Sequence, residues 1–127
     1  MKILLIGDLH SNFTNIKKLN QKIIKFNLNY ILINGDFINI YHDIENDSLS
    51  TDQEFLSVLN TILNNNNTPT LYIPGNHDPT IQFQNNHKNN LHKKWANLGP
   101  IDCFGLGGAV GGKLIFNGKE AFPGIHH

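Results

Sequence analysis

Three short stretches carry the residue types that can do chemistry. Gly7-Asp8-Leu9-His10, Asn34-Gly35-Asp36 and Pro74-Gly75-Asn76-His77-Asp78-Pro79 each set a glycine beside carboxylates, a carboxamide or imidazoles. Hard oxygen donors with an imidazole suit Mn, Fe or Zn better than a soft, thiolate-seeking ion. Asp8 and His10 stand two apart, so in an extended segment leaving a strand their side chains lean the same way and can share one cation. Taken singly, each has a plainer reading. Asp-x-His occurs in solvated loops, Asp36 can be a cap or turn former, and Asn76 can be a turn residue. The conjunction weighs against that reading, because each group follows directly on a short apolar run.

Those runs are Ile3-Leu4-Leu5-Ile6, Tyr30-Ile31-Leu32-Ile33 and Leu71-Tyr72-Ile73. Continuous apolar runs of this length read as strands buried on both faces of a parallel sheet. Between the first two, Thr14 or Asn15 can cap a helix with Ile16, Leu19, Ile23 and Phe26 on one face and Lys17, Lys18, Lys22 and Lys25 outward. After a polar, acidic stretch from Tyr41 to Ser50, Thr51-Asp52-Gln53-Glu54 has the capping-box pattern, opening a helix with Phe55, Leu59 and Ile62 inward. The order βαβαβ implies parallel strands with right-handed crossovers and the three ligand-bearing loops on one edge of the sheet. That edge is where α/β proteins keep their chemistry.

Past Pro79 the pattern predicts a third helix over 87–97, with His87 and His92 as surface groups near it, and a fourth strand over Ile101–Leu106. A hairpin of Lys113–Phe116 with Lys119–Phe122 would turn at Asn117-Gly118. Gly105, Gly107, Gly108, Gly111 and Gly112 form a flexible segment that lacks both the P-loop ending and the dinucleotide fingerprint.

The 127 residues suffice for one domain and one core, so residues 1–127 are expected to form a single unit. Ten basic and ten acidic residues leave no net charge, and the lysines gather on no stripe, so no nucleic-acid footprint appears. Cys103 is the one cysteine and reads as a buried apolar side chain; it rules out an internal disulfide and fits a reducing compartment. Four apolar residues after Met1-Lys2 are too few for a signal-peptide core or a membrane span, and the location expected is cytoplasmic.

Asp8-x-His10, Gly35-Asp36 and Gly75-Asn76-His77-Asp78 resemble, in type and spacing, the first three blocks of the calcineurin-like metallophosphoesterases. Phe104-Gly105-Leu106-Gly107-Gly108 resembles the strand and glycine segment that follow in small members. The resemblance implies a layered α/β sheet, four-layer αββα when complete. It implies hydrolysis of phosphoester bonds by a hydroxide bridging two divalent ions. Asp8 and His10 would bind the first metal, Asp36 would bridge both, and Asn76 would bind the second. His77 would stabilise the transition state or protonate the leaving oxygen, with Asp78 as an orienting partner.

Two departures bear on those expectations. Where the family's second block often ends in Asp, Gly35-Asp36-Phe37-Ile38-Asn39 ends in Asn, which accepts a hydrogen bond but cannot stabilise an imidazolium by charge. The family also completes its site with a further His and a Gly-His-x-His block. Gly124-Ile125-His126-His127 does not have that spacing. The expectation is therefore the N-terminal part of a longer domain, C-terminally incomplete, holding at most one weakly bound ion through Asp8, His10 and Asp36. The competing expectation is an inactive, protein-binding scaffold of the same fold, but such scaffolds tend to replace the catalytic His that stands here at His77.

Overall fold

The computed structural model describes residues 1–38, 48–64, 67–79, 87–108, 115–116 and 119–120. Strand β1 (Ile3–Gly7) leads to helix α1 (Phe13–Ile23), β2 (Tyr30–Asn34), helix α2 (Ser48–Leu63) and β3 (Thr70–Ile73). The three strands form one parallel sheet in the order β1-β2-β3, with Ile3 opposite Tyr30 and Ile31 opposite Thr70. All three predicted strands and both helices before residue 74 are present, and the loops that follow the three strands leave the same edge. No helix among the described residues is long and apolar enough to cross a membrane.

Both helices pack on one face of the sheet. Alternate β2 residues Ile31 and Ile33 point into that layer and are buried, as is Tyr72 of β3. Ile16 and Ile23 meet them from α1, and Phe55, Val58, Leu59 and Ile62 from α2. Burying each such side chain contributes about 1.5–3 kcal/mol over leaving it in water. Phe37 and Ile38, directly after Asp36, are fully buried in the same cluster, so the core reaches to the base of the second loop.

The opposite face is not covered as the continuous apolar runs led one to expect: Leu5 is 67% exposed. With both helices on one side, Leu5, Leu32, Leu71 and Ile73 instead line an open cleft of about 360 Å³, closed in part by Cys103, Phe104 and Leu106. Cys103 is accordingly half-buried rather than a core residue.

Other local expectations are corrected. Helix α1 is capped by Asn12, whose side chain accepts the Asn15 amide at 3.1 Å, rather than by Thr14 or Asn15. It ends at Ile23, so Phe26 lies beyond it and is exposed. Helix α2 begins at Ser48, which puts Thr51 inside the helix and removes its capping role. Residues 87–97 are not a helix. Tyr72 N–H donates to Asn89 O at 2.9 Å and Leu91 N–H to Tyr72 O at 2.7 Å, so the chain runs alongside β3. It then enters β4 (Trp95–Leu98), which turns back at Gly99-Pro100 into antiparallel β5 (Ile101–Phe104). Backbone groups bonded to β3 and β5 are lost to a helical ladder, and that pairing overrides the local pattern. Strands β6 (Ile115–Phe116) and β7 (Lys119–Glu120) pair antiparallel in the predicted register, while the turn at 117–118 lies outside the described residues.

Candidate metal centre

The loop after β1 bends sharply at once. Asp8, His10 and Ser11 have φ of 52°, 43° and 57°, the left-handed region that L residues seldom adopt. The extended geometry expected for Asp8 and His10 is therefore wrong; a turn brings the two side chains together. The second loop holds that turn in place. His10 N–H donates to Asp36 O at 3.0 Å, and Ser11 N–H to Phe37 O at 2.8 Å. Asp36 also has a positive φ of 52°, after Gly35 at 70°. Strained backbone of this kind persists only where the surroundings over-determine it.

One ligand atom from each of Asp8, His10 and Asp36 lies within 4.8 Å of the others. His10 Nε2 stands 3.7 Å from Asp8 Oδ1, and His10 Nδ1 lies 3.3 Å from the Ile38 carbonyl. That carbonyl can only accept, so the pairing assigns the proton to Nδ1 and leaves the Nε2 lone pair facing the carboxylates. A ring nitrogen tied to a carbonyl while the other points at a ligand cluster is how metal-binding imidazoles are oriented. The Asp8 side chain is 81% exposed and His10 38%, so the cluster opens to solvent.

The third loop joins the second through Asp78, which is completely buried. Its Oδ1 accepts the Phe37 amide at 2.8 Å and the Ile38 amide at 3.3 Å, and its Oδ2 accepts the Gly75 amide at 2.7 Å. Burial pushes this carboxyl up to about 7; the Asp36 charge adds to the rise, and the three amides oppose it. Asp36 Oδ1 in turn accepts the His77 amide at 3.1 Å. A carboxylate has capacity for several partners, so this bond leaves Asp36 able to serve a cation as well.

Glycine is required where these loops touch. A Cβ at Gly35 would stand 2.7 Å from Gly75 Cα, and one at Gly75 would run into the Asp36 carboxylate. The His77 ring lies edge-on to His10, centroids 5.4 Å apart at 86°.

The structure thus gathers Asp8, His10 and Asp36 into one cluster and sets the His77 ring beside it. Asn76 shares the turn closed by the Asp78 N–H to Gly75 O bond of 3.1 Å and is half-buried. Asp78 faces the backbone amides of Phe37, Ile38 and Gly75. Asn39, His126 and His127 lie outside the described residues. Ser11, whose amide docks the first loop on the second, was missed by the sequence reading, and its residue type gives no signal. His87 and His92 are half-buried rather than surface groups and belong to no helix of their own, the His87 ring lying 6.3 Å from Phe55 of α2; burial lowers the pKa of each.

Comparison with known proteins bears on the family and the fold. The profile of the family described as calcineurin-like phosphoesterase matches residues 1–125. Among solved structures, the chain is similar to TT1561 of Thermus thermophilus, at a TM-score of 0.65 and 16% sequence identity. The likeness covers 95% of this chain and 56% of that one, so the chain spans little more than half the length of that relative. At such identity the likeness speaks to the fold. No curated protein matches. With the family profile running over almost its whole length, the chain belongs to the calcineurin-like phosphoesterase family.

Proposed function

We propose that this chain is a metal-dependent phosphoester hydrolase whose divalent ion, Mn, Fe or Zn, is held by Asp8, His10 and Asp36. Asp36 would bridge to a second ion with Asn76 as a ligand, and His77 would serve the leaving oxygen. The observation that carries the reading is the convergence of two carboxylates and one imidazole within 4.8 Å at the edge of a parallel sheet. The donor set fits a hard or borderline cation: oxygens from two loops, plus an Nε2 whose partner nitrogen is occupied by the Ile38 carbonyl.

A bound divalent ion would supply Lewis acidity, neutralising phosphoryl charge and lowering the pKa of water. Asp8, His10 and Asp36 bind and orient. Asp78 fixes the second and third loops to each other, which sets where Asp36 and His77 stand. His77 spends its backbone N–H on Asp36 and keeps its ring beside His10, where an imidazolium can give its proton to a departing alkoxide.

Metal analysis and turnover of a chromogenic phosphodiester test the reading. Asp36→Ala is expected to lose both metal and activity, while His77→Ala keeps metal and loses about 10²-fold or more in kcat. Equal activity of the two variants and the parent would reject it, and metal-free, inactive parent protein would favour the scaffold.

A further inference from the structure

The glycine segment after β5 is pinned at both ends. Lys93 N–H donates to Gly105 O at 2.8 Å, and Gly105 N–H donates to Lys94 O at 3.2 Å. A Cβ at Gly105 would stand 2.5 Å from the Leu91 carbonyl oxygen, so the backbone passes flush against residues 91–92. At the far end, Gly108 N–H donates to Pro74 O at 2.7 Å, immediately before the Gly75-Asn76-His77-Asp78 turn. Between the two, the buried Gly107 donates its N–H to His92 Nδ1 at 2.8 Å. A ring nitrogen that accepts carries no proton, so His92 is neutral with its hydrogen on Nε2. Its own amide donates to Asn90 Oδ1 at 2.9 Å, which fixes the turn that presents the ring.

We propose that His92 is a positioning residue: its neutral imidazole latches the Gly105–Gly108 segment, so that Gly108 holds the Pro74 carbonyl and with it the start of the loop carrying Asn76 and His77. The relevance to catalysis rests on the phosphoesterase reading; the latch itself does not.

A proton on Nδ1 would turn the acceptor into a donor facing another N–H, and the latch would open. Burial, and then the ammonium of neighbouring Lys93, hold the imidazole below its ordinary 6.5. Asn90, Gly105 and Gly107, which touch it from the preceding turn and from the segment, carry no charge. A folded pKa below the unfolded one makes the contribution complete above 6.5 and lost as pH falls through the lowered value.

Amide hydrogen exchange of the full chain, read by NMR as protection factors, tests the latch. His92→Asn keeps an acceptor near the Nδ1 position that does not titrate, and His92→Leu removes it. The expected result is that Gly107 and Gly108 of the parent are protected at pH 7.5 and at least about tenfold less protected at an acid pH low enough to protonate His92. The Asn variant should protect both at either pH, and the Leu variant at neither. The proposal is overturned if the Leu variant protects Gly107 as the parent does, or if the Asn variant loses protection in acid. It is equally overturned if Gly108 stays protected whenever Gly107 does not. The parent pH series needs no variant, so it decides the matter even where the Leu variant misfolds. Absent phosphodiester turnover with the exchange pattern as expected would count against the phosphoesterase reading and leave the latch standing.

Discussion

The Asp78 carboxylate accepts the Phe37 backbone amide at 2.8 Å across 41 residues of sequence, which fastens the loop after β3 to the loop after β2. The same side chain accepts the amides of Ile38 and Gly75. Replacing Asp78 by Asn sets an NH2 against one of these buried donors, and an unsatisfied buried donor costs about 1–3 kcal/mol. Urea unfolding of Asp78→Asn should therefore show a loss of that size. The loss should also depend on pH. The native carboxyl titrates near 7, above its ordinary 3.8, so between those values the native state holds a proton that the unfolded chain has released. Native stability from this group then falls as pH rises from about 4 to 7. The deficit of the Asn variant should be larger at pH 4 than at pH 8; a deficit that grows with pH would contradict the buried, protonated carboxyl.

Gly75→Ala probes the closeness of the loops rather than their hydrogen bonds. The new methyl meets the Asp36 carboxylate, a side-chain end that can turn away, and also the Asp36 amide nitrogen, which is backbone and cannot. Overpacking of this kind costs about 1–3 kcal/mol. Because the displaced group belongs to the ligand cluster, Mn²⁺ affinity should fall together with the thermal midpoint. A variant that melts lower while binding Mn²⁺ as the parent does would show that the carboxylate can yield without harm.

The parallel sheet and the helical core were legible because their signals are local. Apolar runs of three or four residues gave β1 to β3, and Phe55, Leu59 and Ile62 at helical spacing gave the inner face of α2. The gathering of Asp8, His10 and Asp36 was legible because strand ends fix loop positions without any knowledge of loop conformation. What could not be read is the conformation itself. Positive φ at Asp8 and His10 is imposed by amides that reach Asp36 and Phe37, a pairing between segments distant in sequence. The same cause turned residues 87–97 from an expected helix into a stretch running beside β3 and then a hairpin. Covering of the second sheet face was misjudged because an apolar run says that a strand can be buried, not which elements lie against it.

His10 offers a test of the cluster that does not depend on turnover. Its Nδ1 is engaged by the Ile38 carbonyl, which leaves Nε2 for a cation shared with Asp8 and Asp36. Removing the ring in His10→Ala deletes one of three donors. Outer partners of metal ligands alone are worth about 10–100-fold in affinity, so Mn²⁺ binding should weaken by at least about tenfold in calorimetry. Stability of the metal-free chain should change little, since the ring is partly exposed and lies outside the core cluster. An unchanged Mn²⁺ affinity would place any cation elsewhere.

Phe55→Ala asks whether the core controls the site. Phe55 of α2 is fully buried, with its ring centroid 4.6 Å from Phe37 and 5.6 Å from Tyr72. Truncating a buried Phe to Ala costs about 3–5 kcal/mol through lost burial and the cavity left behind. The cavity would open beside Phe37, whose amide is held by Asp78 and whose predecessor in the chain is Asp36. Slackening Phe37 should loosen both bonds to Asp78, so the Phe37 and Ile38 amides should lose exchange protection beyond what the global destabilisation explains. In a second buried-residue variant, Ile23→Ala, the deleted side chain comes from the end of α1 remote from the ligand loops. It should lower global stability without that selective loss. Equal effects on the two amides in both variants would mean that the loop after β2 is fixed by its hydrogen bonds and not by the aromatic cluster beneath it.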